Sequence, residues 1–126
     1  MPQKHDIITL KKRRSFLAVA ATGKKWVAPG LILQLGPVRP DSTPPENPVC
    51  HYGLTASGKV GNAVVRNRAR RRLRALAQEL LALHADPSHD YVLIARNTTA
   101  TRAHEALRLD FITALKKLKV WRESPP

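Results

Sequence analysis

Residues 59–83 run Lys59-Val60-Gly61-Asn62-Ala63-Val64-Val65-Arg66-Asn67-Arg68-Ala69-Arg70-Arg71-Arg72-Leu73-Arg74, then Ala75-Leu76-Ala77-Gln78-Glu79-Leu80-Leu81-Ala82-Leu83. Val65, Ala69, Leu73, Leu76, Leu80 and Leu83 recur at steps of three or four, which keeps them on one face of a helix. The spacing predicts a helix over 62–83 with that stripe turned to the core. At about 100° per residue, with Val65 at zero, the stripe covers about 0° to 80°. Arg70, Arg74, Asn67 and Arg71 then lie at about 140°, 180°, 200° and 240°, away from the core. Arg66 flanks the stripe on one side, and Arg68 and Arg72 flank it on the other. Gly61 and Asn62 supply the turn and N-cap that start the helix.

Around this helix the chain reads as alternating short elements. Phe16, Val19 and Ala20, followed by Gly23, predict a helix over 13–21 with its basic residues at the front. Leu31, Leu33 and Leu35 alternate with Ile32 and Gln34 as a strand, which Gly36-Pro37 should stop. Residues 37–48 carry a cluster of prolines and read as a surface loop. Extended character resumes over 49–56, and Tyr91-Val92-Leu93-Ile94-Ala95 is the continuous apolar run of a buried strand. Leu107, Phe111, Ala114, Leu115 and Leu118 predict a last helix over 101–118. The expected fold is α+β, a two-layer sandwich in the order α-β-β-α-β-α. It forms a single domain over 1–126, with a core at about 10–118 and a frayed tail over 122–126.

The 126 residues carry 22 Lys and Arg against 9 Asp and Glu, a formal charge of +13, which calls for a polyanionic partner. Hydrophobic and charged fractions of 43% and 25% are those of a folded body rather than a disordered one. No apolar run is long enough for a transmembrane helix, and Lys11-Lys12-Arg13-Arg14 follows too short an apolar patch for a cleaved signal. A cytoplasmic protein without a membrane partner is expected. Cys50, the single cysteine, excludes an internal disulfide and reads as a small buried residue.

Seven of the basic residues fall within 59–74, and no acid occurs between Lys59 and Gln78. A merely solvated helix face mixes signs at i and i+4, whereas this one repels itself until counter-charge arrives. Arginine's planar fork suits bidentate contact with phosphate, so the ligand should be a nucleic-acid backbone. Six arginines without varied base-reading side chains favour backbone contact over sequence readout of DNA.

Lys59-Val60-Gly61-Asn62-Ala63-Val64, followed by Arg66-Asn67-Arg68 and further arginines, resembles the signature of the bacterial ribonuclease P protein subunit. Leu10-Lys11-Lys12-Arg13-Arg14-Ser15-Phe16 resembles that family's entry to its first helix, and Asp90-Tyr91-Val92-Leu93-Ile94-Ala95-Arg96 its last strand. The resemblance implies the fold of the second domain of ribosomal protein S5, with a left-handed βαβ crossover. It implies a subunit of an endoribonuclease holoenzyme that joins a catalytic RNA, binds the 5′ leader of precursor tRNA and aids removal of that leader, the RNA performing the chemistry. Lys59, Asn62, Arg66, Asn67, Arg68, Arg70, Arg71 and Arg74 match the RNA-binding motif, and Lys12, Arg13 and Phe16 match the leader cleft. Ala20 and Gln34 stand where relatives often carry aromatics, with Trp26 or Tyr52 as substitutes, and Gly58 stands where a second lysine is common.

Catalysis by the protein itself has little support. The acids show no pairing beside the basic motif of the kind a two-metal site requires, and the five histidines are scattered. No catalytic residue, protein-held cofactor or obligate protein partner is expected, and Mg2+ belongs at the RNA active site of the holoenzyme. A ribosomal or other structural RNA-binding protein is the alternative with the same composition.

Overall fold

The computed structural model describes residues 6–39 and 49–123. Most of the proline-rich loop, 40–48, and the last three residues, 124–126, lie outside the described residues. Strands β1 (Asp6–Thr9), β2 (Lys25–Val27), β3 (Leu31–Val38), β4 (Val49–Thr55) and β5 (His89–Ala95) form one sheet in the order β1-β4-β5-β3-β2. β4 is parallel to both β1 and β5, and β3 is antiparallel to β2 and β5. Helix α1 (Arg13–Ala21) follows β1, α2 (Ala63–His84) joins β4 to β5, and α3 (His104–Lys117) follows β5.

Strand alternation divides the sheet into two unequal faces. Leu31, Leu33 and Leu35 of β3, Cys50 and Tyr52 of β4, and Tyr91, Leu93 and Ala95 of β5 point into the main core. There they meet Leu73, Leu76 and Leu80 of α2 and Leu107, Phe111 and Leu115 of α3. Full burial of each such side chain contributes about 1.5–3 kcal/mol. On the other face α1 is the one helix among the described residues, and there Val19 packs with Leu10 and Val92, and Phe16 and Ile94 cover their edge. β5 is thus covered on both faces, the reason for its continuous apolar run.

Two strands escaped the sequence pattern: β1 has four residues and β2 three, too short to show an alternation. β3 does not stop at Gly36-Pro37 but runs on to Val38 with a register shift after Leu35. β2 ends its pairing opposite Gln34, so Pro37's missing N–H interrupts no ladder there. α3 begins at His104 rather than at Thr101. The Thr98 and Thr99 hydroxyls donate to the carbonyls of Pro29 and Gly30, holding the preceding segment as turns. Arg122 and Glu123 are not frayed: Arg122 donates its N–H to the His84 carbonyl and pairs with Asp86, and Glu123 accepts from the Trp121 indole.

Cys50 is buried, and burial, helped by the Asp90 and Asp86 charges, pushes its thiol up to about 12. Among the described residues no helix is long and apolar enough to cross a membrane.

Candidate nucleic-acid interface

The start of α2 is built by three residues. Gly61 has φ +149°, and a Cβ there would sit 2.9 Å from Val65 Cγ1, so only glycine allows the chain to enter the helix this tightly. Asn62 takes the N-cap position, its Oδ1 accepting from the Val65 N–H at 3.0 Å. Ser57 caps the short 3-10 turn Gly58–Val60, which carries the exposed Lys59. At Gly58 an added side chain would meet open space, so the absent second lysine reflects no steric bar.

Downstream, Asn67, Arg70, Arg71 and Arg74 come together with Val64 around an open depression of about 440 Å³. Arg70 is held in place, donating to Asn67 Oδ1 at 3.0 Å and to the Ala56 carbonyl at 3.4 Å. Arg66 is half-buried with its Nε enclosed and unpartnered, an arrangement that costs stability until an acceptor arrives. Arg68 is exposed. Arg72, on the same helix, is used differently: its guanidinium donates to the carbonyls of Thr99 and Arg102 and ties the β5–α3 connection to α2.

The carboxylates explain the imbalance. Glu79 pairs with Arg108, Asp86 with Arg122, Asp90 with Arg39 and Asp110 with Arg102. Among the described residues no ion pair reaches Arg66, Arg68, Arg70, Arg71 or Arg74. Nor do three or more His, Cys, Asp or Glu side chains gather as a metal site there.

Lys12, Arg13 and Phe16 lie on the opposite face of the sheet from α2. Lys12 is the N-cap residue of α1 without a side-chain cap bond, and the first turn contains no acid. Lys11 to Arg14 therefore crowd positive charge at the end of a helix whose dipole is already positive. α1 packs chiefly over β3 and β5, and among the described residues it reaches the same face of β4 through Phe16. Phe16 lies flush on Gly53 of β4, where an added Cβ would come within 2.5 Å of its ring. Ile8, opposite His51 in the β1–β4 ladder, is half exposed beside them. The strand was too short for periodicity to reveal Ile8, and a lone glycine in β4 signalled no packing against an aromatic.

Neither proposed aromatic substitute reaches this face. Tyr52 is buried in the main core, because alternation along β4 turns it away from α1. Trp26 pairs with Leu33 and therefore shares Leu33's side of the sheet, where Lys117 of α3 lies over its ring.

A family model for ribonuclease P matches residues 3–119. The chain belongs to the ribonuclease P protein family. The ribonuclease P protein component of Paramagnetospirillum magneticum is 47% identical over 109 residues, 86% of this chain and 80% of that one. The Caulobacter vibrioides component is 44% identical over 109 residues, 86% of this chain and 69% of its own. The solved ribonuclease P protein of Staphylococcus aureus superposes with a TM-score of 0.69 at 22% identity, covering 90% of this chain and 97% of that one. That of Thermotoga maritima gives 0.69 at 19% identity, covering 87% and 96%. These two likenesses show the fold, an α+β sheet with three helices. As a ribonuclease P protein the chain is part of an endoribonuclease holoenzyme that processes the tRNA 5′ end, and its partner is the RNA subunit.

Proposed function

We propose that the outer face of α2 binds the catalytic RNA while the α1 face holds the 5′ leader of precursor tRNA. The observation that carries this reading is the split in charge: among the described residues the outward arginines of α2 hold no carboxylate, while four carboxylates are engaged elsewhere. Backbone phosphates supply the missing counter-charge. Lys59 and Arg68 extend the charged surface to either side, and Asn62 sets the helix start.

On the other face, Lys12 and Arg13 at the uncapped start of α1 attract leader phosphates. Phe16, backed by Gly53, offers a ring face for one base, in a stacking contact worth about 1–3 kcal/mol. With Ala20 and Gln34 in place of further aromatics, leader binding here leans on charge and on the apolar floor at Ile8. The chain aids cleavage by positioning; the RNA subunit carries the chemistry. Mg2+ bound at the RNA active site would supply charge neutralisation and an activated water.

Cleavage of precursor tRNA by the cognate RNA at low Mg2+, with and without the protein, tests the reading. The protein should raise cleavage most for substrates with a leader of several nucleotides, and RNA-free protein should cleave nothing. Equal stimulation of leader-bearing and leaderless substrate would remove the leader assignment.

A further inference from the structure

The chain's two tryptophans lie on either side of the end of α3, each beneath a lysine. The Lys117 ammonium is 5.6 Å from the Trp26 ring centroid and the Lys116 ammonium 5.5 Å from that of Trp121. Trp121 is backed by the His84 ring at 4.3 Å and 14°. Its segment bridges to Ala85 and is pinned by the Arg122–Asp86 pair. The two ammoniums are therefore held over aromatic faces on a fixed base, whereas an exposed lysine ordinarily loses much rotamer freedom when it takes a ligand.

Lys119 adds a second, independent observation. α3 ends in a Schellman turn, with the Val120 N–H on the Leu115 carbonyl and the Lys119 N–H on the Lys116 carbonyl, both at 3.0 Å. The residue at its left-handed position has φ +63° and is lysine, the single non-glycine with positive φ among the described residues. Glycine adopts that conformation without a Cβ clash and is the usual occupant. A lysine there, exposed, beside two more exposed lysines, puts a side chain where the backbone conformation favours none. Complementing the helix dipole accounts for Lys116 and Lys117, but it does not call for lysine at the strained position.

We propose that Lys116, Lys117 and Lys119 form a second phosphate-binding surface for the RNA subunit, separate from the arginine face of α2. Its layer selects the partner. Trp26 and α3 lie on the α2 side of the sheet, away from α1, so RNA engaged on α2 reaches this surface without crossing the leader face. From Arg66 to His84, against which Trp121 stacks, α2 advances about 27 Å, so the two contacts are far apart on one RNA. The surface is net positive: Arg122 and Asp86 cancel, and Glu123, on the Trp121 indole, offsets one of the three lysines. The proposal rests on the RNA subunit being the ligand of α2's layer.

The test measures assembly of the full chain with the RNA subunit across a salt series. Lys119→Gly should unfold at the same or a higher temperature than the parent, yet bind the RNA subunit more weakly. Its log–log salt slope should be smaller by about 0.7–0.9. Lys116→Gln/Lys117→Gln/Lys119→Gly should lose about ten- to a hundredfold in affinity near physiological salt. The ratio of leader-bearing to leaderless substrate binding by the holoenzyme should stay unchanged. Parental affinity and slope in both variants would overturn the proposal, as would a loss confined to leader-bearing substrate. Arg70→Glu/Arg74→Glu, run in parallel, separates the two readings: a loss there with none at the lysines removes only this surface, and no loss in either removes both.

Discussion

Arg70, Arg71 and Arg74 on α2 and Arg102, Arg108 and Arg122 after β5 are the same side chain in two different surroundings. Each of the latter three is matched to a carboxylate, at 2.5 Å for Arg102–Asp110, 2.6 Å for Arg108–Glu79 and 3.2 Å for Arg122–Asp86. Among the described residues the α2 arginines meet no carboxylate, and Arg70 bonds instead to the neutral oxygens of Asn67 and Ala56. Arginine count therefore says little about RNA binding in this chain; the placement of a few acids decides which guanidiniums hold the fold together and which await a ligand. Arg72 crosses the division, lying in the arginine run but acting on the carbonyls of Thr99 and Arg102.

Asp110→Ala should produce the largest change. Asp110 accepts from the Gly30 N–H at 3.0 Å and from two nitrogens of Arg102. Its removal leaves a partly buried guanidinium and a buried amide without a partner. A loss of about 3 kcal/mol in chemical denaturation is expected, with the salt slope of RNA binding unchanged in the folded fraction. Arg70→Glu/Arg74→Glu should do the reverse. It should weaken RNA-subunit binding by roughly 30-fold or more near physiological salt and flatten the slope. The Arg74 change should leave the unfolding temperature nearly untouched.

Arg72→Met comes third. It frees two carbonyls and loosens the β5–α3 connection, at about 1–2 kcal/mol of stability, and the salt slope should match the parent. A slope reduced as much as by an α2 surface arginine would place Arg72 among the RNA ligands instead. Glu79→Gln is the mildest, because the Glu79–Arg108 pair is solvent-exposed: less than about 1 kcal/mol by thermal denaturation. It releases one more guanidinium on the α2–α3 layer, so RNA affinity should hold or rise slightly.

How much of this was legible beforehand varied with the length of each element and the sequence distance to its partners. α2 is 22 residues long and repeats its apolar spacing several times, and Asn62 caps it by bonding three residues on. β1 exists because it lies alongside β4, Asp6 against Val49 to Thr9 against Tyr52, and nothing within its four residues announces that pairing. Trp26 and Tyr52 read as candidate base platforms because a sequence does not show which side of a sheet a short strand turns to a helix. Burial around α2 also exceeds the predicted stripe toward its C-terminal half, where Ala77, Leu81 and Ala82 are enclosed. The outer face stays open where the arginines stand.

Amino-acid order alone determined the long amphipathic helix, its basic outer face, the central apolar strand and the family signature, because each is written in contacts three or four residues apart or in local composition. Only the tertiary structure decided which arginines are free. Arg72 meets carbonyls 27 and 30 residues away, and Arg108 meets Glu79 across 29. Whether a charge is neutralised depends on groups that folding brings within a few ångströms.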